Sequence, residues 1–267
     1  MPTDATADAD RWIDALRHEQ DQLADRVRAL TPAQRRGPSA CTEWTIAQVL
    51  SHLGSGAEIM GGTVGAALRG EDPPGSDAAP AVWDRWNAMD PDEQAAGFLE
   101  WSERLVATLE ALDDDDRANL RIDLGFLPEP ADVATVTGLR LNELALHSWD
   151  VRVMDDPTTP LTPSSVDLLV DRIGMLIGFL GHADAVDPRP VTLAVQTQDP
   201  ARSLGFEVAD RVAIADAPDG AAATLSLPTE ALLRLVAGRL TPEHTPAGVE
   251  VGGALSLDDL RHLFPGY

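Results

Sequence analysis

The sequence predicts an α+β protein in two parts, a four-helix bundle over residues 1–157 and a smaller α+β domain over 158–267. Three observations carry this expectation. Apolar residues recur at helical spacing through the first part, and short β-like runs bounded by Asp, Pro or Gly crowd the last third. Between them lies a Pro/Thr/Asp-rich break, DDPTTPLTPSS. With 267 residues, 44% of them apolar, the chain can fill a core without staples.

The elements follow in order. From about Ala9 to Leu30, Trp12, Ile13, Leu16, Leu23, Val27 and Leu30 mark a helical stripe, and TPAQRRGPSACTEW then reads as a loop. Thr45 followed by Gln48 is a capping-box pattern, opening a second helix through Ile46, Val49, Leu50, Leu53, Ala57 and Met60 to about Leu68. RGEDPPGSDAAPAVWDRWNAMDP is a connection of about twenty residues, long enough to suggest a functional segment or a crossover. A third helix is expected from Pro91 to Leu112, stopping at DDDD, which reads as a solvated turn. After GFLPEP a fourth runs from Ala131 to Met154. Beyond the break come a helix over Pro163–Leu180 and the strand-like runs VTLAVQT, LGFEVAD, RVAIADA and ATLSLP. TEALLRLVAGR (a short helix), GVEVGG and a last helix near LDDLRHLF complete the chain.

The net charge is −24, and all 20 basic residues are Arg, so the field of the molecule repels phosphate backbones and anionic surfaces. No nucleic acid and no membrane partner is expected. Cys41 is the single cysteine, which excludes an internal disulfide and a cysteine-based zinc site. It reads as a small packed residue or as a reactive thiol ahead of a helix. The opening MPTDATADAD lacks a basic n-region and an apolar h-region, and no apolar run approaches the roughly 18–20 residues of a membrane span. A cytoplasmic protein is the expectation.

LNELALHSWDV, Leu141 to Val151, holds the chemistry. At about 100° per residue, Val133, Val136, Leu144, Val151 and Met154 share one stripe of the fourth helix. Glu143 and His147 fall inside that stripe, joined by Arg140. Burying a carboxylate costs several kcal/mol unless it is paired or ligates a metal. Two explanations compete. One is a local salt bridge, from Glu143 to Arg140 or to protonated His147. The other is a metal site, since Glu and His at i, i+4 project from one face about 6 Å apart. A third ligand is then needed from His18, His52, His182, His244 or His262. His52 stands out because SHLGSG leaves room beside it, although it lies at the edge of its helix's apolar stripe.

TEWTIAQVLSHL, Thr42 to Leu53, and NELALHSWDV, Asn142 to Val151, resemble the two signatures of the mycothiol-dependent maleylpyruvate isomerase family. The distance between them and the crossover-like connection are similar to that family's DinB-like metal-binding four-helix bundle. The following α+β segment resembles its sterol-carrier-protein-like C-terminal domain. The resemblance implies that His52, Glu143 and His147 ligate a divalent metal, usually zinc. It also nominates Arg239, in AGRL, as the family's active-site arginine, against the plainer role of a surface residue at a helix C-terminus.

Asp150 reads either as an acceptor that orients a ligand imidazole or as a helix-end cap. Arg85, in WDRW, could reach an anionic ligand, while Trp83 and Trp86 read as packing anchors. The implied activity is that of a metal-dependent enzyme using a low-molecular-weight thiol, mycothiol by resemblance. The thiol adds to a small electrophile such as maleylpyruvate, giving isomerisation if it leaves again and S-transfer if it stays. A non-catalytic metal-binding, small-ligand or lipid-binding protein is the alternative. Monomer and homodimer are both open.

Overall fold

In the computed structural model, which describes residues 4–41, 43–75, 77–187, 189–216 and 220–266, the apolar spacing of the N-terminal segment folds as α1 (Asp4–Ala29). It buries Trp12, Ile13, Leu16, Leu23 and Val27. A single turn, α2 (Pro32–Arg35), leads to α3 (Ile46–Leu68). Thr45 and Gln48 close a reciprocal capping box there: the Gln48 N–H donates to Thr45 Oγ1 at 3.2 Å, and the Thr45 N–H to Gln48 Oε1 at 2.8 Å. The cap fixes where α3 begins, and hence which face His52 occupies.

The connection that reads as a loop contains a helix, α4 (Ala78–Asn87), whose pattern Pro80 obscures in the sequence. Trp86 of α4 is the anchor and is 1% exposed, whereas Trp83 remains half exposed. The Trp86 indole is admitted by two glycines. A Cβ on Gly54 would sit 2.2 Å from its ring, and one on Gly97 would sit 2.7 Å away. Its Nε1 donates to Glu58 Oε2 at 2.8 Å, and Arg85 pairs with the same carboxylate.

Next come α5 (Pro91–Glu110) and α6 (Asp114–Asn119). The DDDD run is therefore no simple turn. Asp113 caps α6 by accepting the Asp116 N–H at 2.9 Å, and three aspartates occupy its first turn, where the helix dipole favours negative charge. α7 (Val133–Arg152) also departs from expectation. It is buried on most of its circumference rather than along one stripe, and Met154 lies beyond its end, 44% exposed. The reason is its place in the bundle, where α1 and α3 each pack against both α5 and α7.

These elements form one compact unit, Met1–Asp155, and the remaining residues form a second, Asp156–Tyr267. The second unit makes the fold α+β. Its expected first helix is broken into α8 (Pro163–Leu169), a 3-10 turn over Val170–Arg172, and α9 (Ile173–Leu180). Five strands follow: β1 (Val191–Gln198), β2 (Arg202–Val208), β3 (Val212–Ala215), β4 (Ala223–Pro228) and β5 (Glu250–Gly253). The sheet order is β3-β2-β1-β4-β5, antiparallel except for β1 with β4. α10 (Thr229–Val236) and α9 pack on it, and α11 (Leu257–Leu263) closes the chain. Alternation along β1 buries Val191, Leu193, Val195 and Thr197 and leaves Gln196 and Gln198 outside. Among the described residues no helix is long and apolar enough to cross a membrane.

Candidate metal centre

The helix-start signal at Thr45 and the central burial of α7 bring His52, Glu143 and His147 to one point. His52 Nε2 lies 3.0 Å from Glu143 Oε2, and His147 Nε2 lies 3.9 Å from the same oxygen. The two imidazoles meet edge to face with centroids 4.8 Å apart. One donor atom from each residue lies within 4.8 Å of the other two.

The residues fit a divalent metal. Ligands at about 2.1 Å in tetrahedral geometry sit about 3.4 Å from one another, and the two contacts to Glu143 bracket that value. Two imidazoles and one carboxylate suit a borderline cation and leave a fourth position for water or a substrate atom.

The surroundings set the protonation of these donors. Asp150, fully buried, lies with Oδ2 2.8 Å from His147 Nδ1. An ionised carboxylate only accepts, so the proton belongs on Nδ1 and the lone pair on Nε2 points toward Glu143. Burial works against ionisation of Glu143, but the His52 hydrogen bond and the positive field of its surroundings, the Arg140 guanidinium included, outweigh it. The carboxyl therefore sits below its ordinary range.

Arg140, 4% exposed, donates from Nη2 to Ser102 Oγ at 3.1 Å and makes no ion pair with Glu143 among the described residues. Burial lowers its guanidinium to about 10, opposed by the Glu143 carboxylate, so it stays cationic at neutral pH. A simple Glu143–Arg140 salt bridge is thus not what the helix holds. The Glu143–His147 contact is present but is joined by His52 from another helix.

Trp44 and Cys41 complete the immediate surroundings. The Trp44 ring stacks at 6.1 Å from His147 and tilts at 5.3 Å from His52. It is held by a pinned turn. The Trp44 N–H donates to the Cys41 carbonyl at 3.0 Å, the Ala40 N–H donates to the Asp150 carbonyl at 3.0 Å, and Glu43 adopts φ of 71°. That left-handed conformation costs on the order of 1 kcal/mol for a non-glycine residue. Thr42, the first residue of the quoted motif, lies outside the described residues. The sequence signal for Trp44 is an aromatic directly before a helix cap.

Cys41 forms a second close group with His147 and Asp150. There the 2.8 Å Asp150–His147 contact is a hydrogen bond, shorter than the spacing of two ligands on one metal. His147 and Asp150 are buried while His52 and Glu143 are 40% and 37% exposed, so the centre opens on one side. That side meets a cavity of about 260 Å³ lined by Trp44, Gln48, Ser51, His52, Ser55 and Trp86 among others.

Arg239 lies in the second unit, 8% exposed, with Nη1 donating to the Ala237 carbonyl at 2.9 Å. Arg85 is engaged with Glu58. His18 contacts Gln22 and His244 contacts Thr241, and His18, His182, His244 and His262 join no metal-capable group among the described residues.

Fold and site define a two-part α+β protein with a histidine-and-carboxylate centre inside a helical bundle. Residues 16–152 match the model of the family described as the mycothiol maleylpyruvate isomerase N-terminal domain, and the chain belongs to that family. Two uncharacterized proteins of Mycobacterium tuberculosis, Rv0738 and MT0763, are each 25% identical over 172 residues, 62% of this chain and 78% of theirs. Solved structures of the mycothiol-dependent maleylpyruvate isomerase and of a point mutant of it give TM-scores of 0.66 and 0.67. At 13% identity over 97% of both chains, that likeness is one of fold.

Proposed function

We propose that this protein is an enzyme that uses a metal and a low-molecular-weight thiol, mycothiol in keeping with its family, to isomerise a small conjugated electrophile or to transfer the thiol sulfur to it. The observation that carries the reading is the convergence of His52 Nε2, Glu143 Oε2 and His147 Nε2 on one open point. A divalent metal at that point supplies one chemical resource, the stabilisation of a bound thiol as its thiolate at neutral pH.

The chain's own residues do the rest. Asp150 keeps the Nδ1 proton of His147 in place and so presents the Nε2 lone pair. Trp44 packs over both imidazoles and limits water on that side. Ser51, Ser55 and Gln48 offer hydrogen-bonding groups in the adjoining cavity, where a polar substrate can be oriented. Arg239 is assigned the carboxylate clamp and the stabilisation of developing enolate charge, a role that rests on the family resemblance of AGRL.

Metal analysis of the purified protein beside His52→Ala and Glu143→Ala tests the centre. The wild type should hold close to one equivalent of zinc and each variant a small fraction of that. Full occupancy in both variants overturns the ligand assignment. Arg239→Lys should retain the metal and lose turnover of a maleylpyruvate-like dicarboxylate in the presence of thiol. Unchanged turnover would remove Arg239 from the mechanism.

A further inference from the structure

A second cavity, of about 720 Å³, lies in the helical unit and shares no lining residue with the one beside the metal centre. Its size is that of a small-molecule site. One wall is α3 at Gly61 and Gly62. Two consecutive glycines inside a helix weaken it relative to alanine, and packing usually explains their retention.

Among the other helical glycines of α3, Gly54 has such an explanation, while at Gly65 and Gly56 an added Cβ meets only the tip of an arginine. A Cβ on Gly54 meets Trp86 at 2.2 Å, one on Gly65 meets Arg69 at 3.2 Å, and one on Gly56 meets Arg140 at 3.4 Å. At Gly61 a Cβ meets nothing within 4 Å, and at Gly62 it meets only Pro74 at 3.8 Å. What these two glycines preserve is the open volume itself.

Trp101 and Phe126, a phenylalanine left 71% exposed, also line it. Among the described residues no basic side chain lines the space. Two carboxylates do. Glu58 is already paired with Arg85 and Trp86. Asp123 accepts the Gly125 N–H on Oδ1 at 2.8 Å, which leaves Oδ2 for a ligand donor.

The geometry points to a binding site for an apolar small molecule carrying a protonated amine, its ring between Gly61–Gly62 and Trp101 and its ammonium on Asp123. The site stands apart from the metal centre and from the thiol chemistry assigned to it. Apolar bulk follows from the wall, and the sign of charge follows from Asp123 in a chain of net charge −24.

Titration of the full-length protein with 4-phenylbutylamine, 4-phenylbutan-1-ol and 4-phenylbutyrate, followed by tryptophan fluorescence and calorimetry, tests this. The amine should saturate one site and bind at least tenfold more tightly than the carboxylate. Asp123→Asn should bring amine and alcohol to equal affinity. Gly61→Leu should weaken amine binding at least tenfold while leaving the Tm unchanged or higher, because leucine is the better helix former. Should Gly61→Leu fail to fold, Val82→Trp fills the same cavity from α4 and must give the same loss. His52→Ala must bind the amine as the wild type does. Equal binding of amine and carboxylate, undiminished binding by the filled variant, or no saturable binding up to millimolar amine overturns the assignment.

Discussion

His147 shows what burial does for a single side chain. Its ring is enclosed, one nitrogen is tied to Asp150 at 2.8 Å, and the other is turned toward Glu143. Replacing Asp150 by Asn preserves shape but removes the acceptor-only partner, so the imidazole can adopt the wrong tautomer. Asp150→Asn should therefore lower metal affinity by about 10–100-fold, measured by competition with a chromogenic chelator. Of the residues gathered here, Glu143 and His147 were legible as misplaced polar groups on an apolar helix. His52 stands out only by the small residues beside it in SHLGSG, because an edge position on its own helix says nothing of which helix it will face. The family resemblance nominated it. Trp44 and the nearness of Cys41 to His147 depend on a turn with a left-handed Glu43, for which a non-glycine residue gives no local signal.

Among the elements, α4 is the instructive case. Its sequence carries Pro80 and follows a Pro/Gly-rich stretch, so local signals favour a loop, and tertiary contacts hold it as a helix, chiefly the packing of Trp86 between Gly54 and Gly97 and the bonds to Glu58. Gly54→Ala should force that indole out of its slot at a loss of about 1–3 kcal/mol, read as a fall in Tm and as red-shifted tryptophan emission. Because Gly54 is two residues from His52, metal affinity should fall with it. The capping box that starts α3 was fully legible, being local chemistry. Thr45→Ala should cost about 1 kcal/mol in chemical denaturation. By contrast, the 3-10 interruption between α8 and α9 has no signature in a continuous apolar pattern, and the expected single helix reflected that.

For the whole molecule the strong negative charge matters more than any single pair. Raising ionic strength should raise the Tm as self-repulsion is screened. Local pairs act against that background. Arg17 on α1 reaches Glu103 and Glu110 on α5 at 2.7 and 2.8 Å. The Arg17 hydrogen bond holds the Glu110 carboxyl below its ordinary range despite partial burial. A depressed folded value means the contribution is fully present above the unfolded pKa of about 4.3 and is lost as pH falls through the folded value. Because the pair is partly exposed, Glu110→Gln should cost only about 0.2–1 kcal/mol at pH 6, and the gap to wild type should close in acid.

A metal at the candidate centre would add a constraint of another kind. His52 and Glu143 are 91 positions apart in the chain. An ion that binds the folded arrangement and not the unfolded chain would stabilise the fold by its binding free energy and tie the two helices together across that span. Chelation should then lower the Tm well beyond what loss of one surface contact would do. With an ion in place, α3 and α7 could part only after it let go, and the centre would act as a clasp on the order in which the bundle opens.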